Sequence, residues 1–170
     1  MAAPEEVTVT RNLAFNPYDC HGDHGFYPHA TANVETRGEA VFAARNAIDG
    51  IRENRSHGAW PYQSWGINRD PQARLRLDFG RAVEVSELRL TLRADFPHDS
   101  WWTAATVVFS DGSREQLALT KTADAQRFAL APRRVEWLEL CELKKAEDAS
   151  PFPALTQLEA WGKDEADTQT

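Results

Sequence analysis

From residue 73 onward the chain alternates. Leu75, Leu77 and Phe79 are separated by Arg76 and Asp78, and Leu88, Leu90 and Leu92 by Arg89 and Thr91. A period of two sends one set of side chains to one face of a strand and the other set to the opposite face. A helix cannot sort these residues that way, so this half of the chain is committed to sheet. Gly80 and Arg81 interrupt the first run, and Val83 opens the second. A third run, 102–109, rich in β-branched and aromatic residues, is followed by Ser110, Asp111, Gly112 and Ser113. An Asp-Gly pair between two such runs is a hairpin signal. Shorter runs follow at 114–119, 126–130, 135–143 and 154–161. Seven or eight short strands with turn chemistry between them predict an all-β antiparallel β-sandwich.

The first third is different. Residues 15–30 carry Pro17, Pro28, Gly22, Gly25 and three histidines, with no hydrophobic period. They read as loop. Glu39–Ile48 is Ala-rich, and Val41, Ala44 and Ile48 recur at helical spacing, which predicts one short helix. Gly50 stands where a left-handed cap would end it. There is no internal repeat and no low-complexity linker. The expected organisation is an extension over 1–10, a single sandwich domain over 11–162 and a frayed polar tail over 163–170.

Charge narrows the partners. Nineteen Lys and Arg against 26 Asp and Glu leave a net charge of -7, which repels phosphate backbones and disfavours nucleic acid. No apolar stretch approaches the ~20 residues a spanning helix needs, so no membrane partner is expected. The start, from Met1 to Glu6, lacks a basic region followed by an apolar run. As written the chain is expected in the cytoplasm, or outside the cell if a leader has been lost. Cys20 and Cys141 are too few for a disulfide framework. Six tryptophans are many for this length, and the adjacent Trp101 and Trp102 cannot both face inward on a strand.

Five pieces in order carry a resemblance: Asn46 to Gly50, Trp60, Leu75 to Gly80, the strand pair around Phe109 to Gly112, and Gln157 to Gly162. Over residues 11–162 the chain resembles the discoidin or coagulation factor V/VIII type C domain. This is the galactose-binding-like jelly roll of many carbohydrate-binding modules. The stretches 60–71 and 93–102 are more elaborate than in a typical member, which marks a distinct branch. Cys20 and Cys141 do not match the flanking cysteine pair of animal members.

The resemblance implies a structural calcium beside the Asn46–Gly50 turn. Asp49 would give its side chain and Ala47 a carbonyl. Asn54 and Ser56 would come from the next loop, and Glu159 and Ala160 from the last strand. Calcium takes six to eight oxygens, and a tight loop can aim carbonyls and a carboxylate at one point. The alternative is that Asp49 caps a turn and that Arg52 and Arg55, in the longer 51–58 loop, pair with the carboxylates.

The loops suggest a sugar ligand. A pyranose offers an apolar C–H face for an aromatic ring and hydroxyls for planar polar side chains. Residues 60–68 and 93–102 supply both kinds. Tyr62, Trp65, Arg93, Asp95, His98, Asp99 and Trp101 are the candidates for one face that binds a mono- or oligosaccharide. On the competing reading, Trp101 or Trp102 plugs the core and His98 and Asp99 form a satisfied turn. His21 and His24 are secondary candidates. With Cys20 and His29 they could instead hold zinc, although the spacing matches no strong zinc pattern.

Enzyme signals are poor: no Gly-x-Ser-x-Gly elbow, no phosphate-binding glycine loop and no zinc-protease helix occur. The leading expectation is a non-catalytic carbohydrate-binding domain. An accessory subunit docking on a sugar-metabolising enzyme is the alternative. A small sugar-active enzyme using Asp95, His98 and Asp99 ranks below it. A homo-oligomer is also compatible.

Overall fold

The computed structural model describes residues 9–22, 25–53, 56 and 59–164. Eight strands follow in chain order: β1 Arg11–Asn12, β2 His29–Ala32, β3 Trp65–Gly66 and β4 Leu75–Leu92. They continue with β5 Trp102–Phe109, β6 Arg114–Ala118, β7 Gln126–Lys145 and β8 Ala154–Asp164. Every pairing is antiparallel.

The runs read as separate short strands are fused. Residues 75–79 and 83–92 belong to one bent strand, β4, and 126–130 and 135–143 to another, β7. The two bend together, because their register shifts between Asp78 and Val83. Before the bend β4 lies between β2 and the second half of β7, which continues to β5 and β6. After it β4 lies between β8 and the first half of β7. One ribbon of strands thus serves both layers of the sandwich, with the alternating leucines between them. Leu75, Leu77, Phe79, Leu88, Leu90 and Leu92 are at most 1% exposed.

Gly80 sits at the bend with φ 68°. A side chain there would meet the Tyr27 ring at 2.3 Å, so the bend and the 26–28 loop press on one another. At the far edge β8 closes on β1 and on β4. Its strand continues to Asp164, past the point where a frayed tail was expected, because Arg11 and Arg81 both hold the Asp164 carboxylate.

The expected helix is absent as such. Three 3-10 turns stand in its place, at Thr36–Gly38, Ala40–Phe42 and Ala44–Ile48. Extended residues Glu39 and Ala43 separate them. Side chains take over the backbone groups a helix would have paired. Glu35 accepts from the Ala44 N–H at 2.8 Å, and the Asn46 amide donates to the Ala40 carbonyl at 2.9 Å. Gly50 has φ 86° just beyond the last turn, as a terminating glycine should.

Both cysteines are free thiols. Among the described residues no helix is long and apolar enough to cross a bilayer.

Gly162 tests the closure of the β8 edge. A β-carbon there would lie 1.8 Å from the Glu84 carbonyl oxygen, a backbone atom that cannot swing aside. Gly162→Ala is therefore expected to cost about 1–3 kcal/mol, read as a lower denaturation midpoint in urea with an unchanged slope.

Candidate functional site

A depression of about 380 Å³ opens at the end of the sandwich where β4 gives way to the 93–101 loop. That is within the size range of small-ligand pockets. Four separate segments form it. Thr36, Arg37 and Phe42 come from the 3-10 turns, and Ile67, Asn68 and Arg69 from the segment after β3. Arg93 and His98 come from the loop after β4, and Phe152 and Pro153 from the turn before β8.

Arg93 holds the site together. Its backbone N–H donates to the Ala154 carbonyl at 3.0 Å, which ties the end of β4 to the start of β8. The residue is 3% exposed. A guanidinium that deeply buried needs a counter-charge, and Asp99 supplies it. Arg93 Nε donates to Asp99 Oδ1 at 2.9 Å, and Nη2 donates to the same oxygen. Asp99 Oδ2 accepts the Asp95 N–H at 2.9 Å, and the Asp99 N–H donates to the Asp95 carbonyl at 2.9 Å. The Arg-x-Asp-x-x-x-Asp stretch, 93–99, thus closes on itself. One donor is left over: Arg93 Nη1 is buried without a hydrogen-bond partner. A buried donor without a partner costs about 1–3 kcal/mol.

Aromatic rings line the same depression. Phe42 lies beneath Arg93, with the guanidinium carbon 5.9 Å from the ring centre, and Arg37 approaches the same ring at 5.4 Å. Such stacking suits arginine's planar, weakly hydrated head. His98 stacks on Phe152, with ring centres 5.7 Å apart and an interplanar angle of 25°. Phe152 remains 44% exposed. Asn68 and Arg69 are both left-handed, and the Asn68 N–H donates to Thr36 Oγ1 at 2.9 Å, which fixes that wall.

The sequence candidates divide. Arg93 and His98 line the depression, with Asp95 and Asp99 behind Arg93. Asp99 is itself 2% exposed, and its carboxylate holds the Arg93 guanidinium. Trp65 is a correction. It is fully buried, donates from Nε1 to the Val34 carbonyl at 3.0 Å and packs 6.3 Å from Trp102. It is a core plug and cannot stack on a sugar. Trp101 is half-buried against the core and Tyr62 faces Trp60 edge-on, both outside the depression. Exposed His21 pairs with Glu35 at 3.1 Å, away from it. His24 lies outside the described residues. His29 binds Asp19 at 2.7 Å, which orders the loop. Phe42, Arg37, Asn68, Arg69 and Phe152 were missed. The only signal for Phe152 was a lone aromatic between Pro151 and Pro153.

The expected calcium ligands lie elsewhere, where the last 3-10 turn meets β8. Asp49 is half-buried, and Ala47 and Ala160 are fully buried. Ser56 is half-buried, and Asn54 is outside the described residues. Burial pushes the Asp49 carboxyl pKa up, against the lowering effect of the Ile51, Gln63 and Gln157 hydrogen bonds. Glu159 is 1% exposed and salt-bridged to Arg52. The Ala160 carbonyl accepts the Leu13 N–H at 2.7 Å. Among the described residues no three His, Cys, Asp or Glu side chains converge as metal ligands would.

Known structures share this architecture. A family 32 carbohydrate-binding module of C. perfringens NanJ, solved with galactose, is 17% identical. The match covers 78% of this chain and 91% of that one, with TM-score 0.57. The lectin domain of lectinolysin, solved with Lewis B antigen, is 16% identical over 92% and 98% of the two chains, with TM-score 0.64. A fucose-binding module of Streptococcus pneumoniae is 12% identical over 88% and 96%, with TM-score 0.62. At these identities the likeness is one of fold: the galactose-binding-like jelly roll of carbohydrate-binding modules, as the sequence resemblance implied. No sequence-family description matches the chain. No curated protein matches it either.

The Arg93–Asp99 pair carries a stability prediction. Asp99→Ala strands a buried guanidinium and is expected to cost about 3–5 kcal/mol. The double replacement Arg93→Met with Asp99→Leu removes both charges and is expected to cost clearly less. Urea denaturation of the two variants checks this.

Proposed function

We propose that this chain is a non-catalytic carbohydrate-binding domain whose ligand occupies the Arg93 depression. The observation that carries this reading is Arg93, which lines a depression of about 380 Å³ and keeps its buried Nη1 without a hydrogen-bond partner. In this reading a hydroxyl oxygen of the sugar accepts from Arg93, and an apolar ring face rests against Phe152. His98 supports Phe152 and offers a second polar contact. Arg93 is held in place before the ligand arrives, so little ordering entropy opposes binding. The fold, shared with modules solved with galactose and Lewis B antigen, agrees with a saccharide ligand.

A binding role also suits the carboxylates. A glycosidase needs two of them free to act across one bond. Asp99 is spent on Arg93 and on the Asp95 backbone, which takes it out of acid–base work.

Isothermal calorimetry against galactose, fucose and their oligosaccharides tests the proposal. Phe152→Ala and His98→Ala are expected to weaken the best ligand about tenfold each, the loss of roughly 1.4 kcal/mol of contact. Both side chains are exposed, so the melting temperature should hold. Absence of binding to any glycan on a broad array, together with a stoichiometric protein partner on purification, would replace this reading with the docking one.

A further inference from the structure

The junction between the last 3-10 turn and β8 is where the family resemblance implies a cation, and several oxygens of its described residues are already engaged. Three of them converge on one atom, the Gln157 amide nitrogen. The Asn46 carbonyl lies at 2.9 Å, the Thr156 carbonyl at 2.7 Å and Asp49 Oδ1 at 2.7 Å. Gln63 Nε2 reaches the other Asp49 oxygen at 3.4 Å. The Gln157 amide has only one sensible orientation. Its Oε1 accepts the Gly50 N–H at 3.0 Å, so a flipped amide would set N–H against N–H.

Two residues along β8, on the same face of the strand, Glu159 is equally committed. Arg52 Nε and Nη2 donate to its Oε1 at 2.9 and 2.7 Å, and Trp161 Nε1 donates to Oε2 at 2.7 Å. Calcium requires six to eight oxygens with lone pairs directed at it. Here N–H groups from Gln157 and Gln63 face the Asp49 carboxylate, and a guanidinium faces Glu159. This donor set does not fit a hard dication.

We infer that the Gln157 amide stands in the place of the cation, and that the junction is latched by hydrogen bonds and the Arg52–Glu159 ion pair without metal. The amide does what the ion would do. It bridges the Asn46 carbonyl and the Asp49 carboxylate to the last strand. A neutral bridge is adequate because, among the described residues, Asp49 is the carboxylate that Gln157 bonds. A carboxylate at position 157 would place two negative groups in contact and remove both N–H donors. Such a pair would need a divalent ion to hold it. The inference is independent of the saccharide reading, since the junction shares no residue with the Arg93 depression.

Thermal melts of the full chain in chelator and in millimolar calcium, with metal analysis of the purified protein, test this. The wild type is expected to melt at the same temperature in both and to carry no stoichiometric calcium. A chelator-induced fall in its melting point, or one equivalent of bound calcium, would overturn the inference. Gln157→Glu is the second arm. It is expected to melt about 5 °C lower in chelator and to regain most of that in calcium. A Q157E protein no more responsive to calcium than the wild type would remove Gln157 from the cation's place. If Q157E fails to fold without calcium and folds with it, the inference stands.

Discussion

Strand β4 must keep a partner on each side while it crosses from one layer of the sandwich to the other. Strand pairing is directional, and a buried backbone group left unpaired is costly. The solution is shared bending. β7 turns with β4, and the register slips where both bend. β2 covers the first half of β4 and β8 the second. Gly80 allows the left-handed step that this needs. The core leucines follow from that geometry, since one strand can present an inward face to both layers only if it rotates between them.

The same strand delivers Arg93 to the rim. A guanidinium at the end of a central strand is anchored by its backbone to β8 and by its side chain to Asp99. The arrangement is rigid because the counter-ion sits in a loop that closes through its own backbone. Charge is neutralised inside the protein, and Nη1, with its two N–H groups, is left without a partner in a guanidinium that lies over the Phe42 ring. Polar precision set in an apolar surround is the usual physics of a small-ligand site.

Sequence periodicity exposed the sheet because alternation is a strong and local signal. It did not show that 75–79 and 83–92 are one strand, since a bend with Gly80 and Arg81 looks like a turn. The Ala-rich 39–48 segment misled for a related reason. Propensity is weak beside the side chains of Glu35 and Asn46, which come from outside the window or bond back across it. At the site, Arg93 and His98 were legible because they sit in one loop with aromatics. Trp65 was misplaced because a tryptophan between serine and glycine reads equally well as platform or plug. Only its partner Trp102, 37 residues away, decides the matter. Phe42, Arg69 and Phe152 were hidden because three-dimensional proximity alone joins them.

The position of β8 has a consequence for biosynthesis. It is the last strand of the domain to leave the ribosome, yet it lies inside the sheet, between β1 and β4. Until residues 154–164 emerge, one flank of β4 has no neighbour and the buried faces of Leu88 and Leu90 lack part of their cover. Synthesis at roughly 5–20 residues per second therefore leaves the nascent chain for some seconds with an open, apolar sheet edge, the surface on which chaperones act. Premature termination within β8 would make that transient state permanent. Quality control would then see a sheet with an unpaired strand.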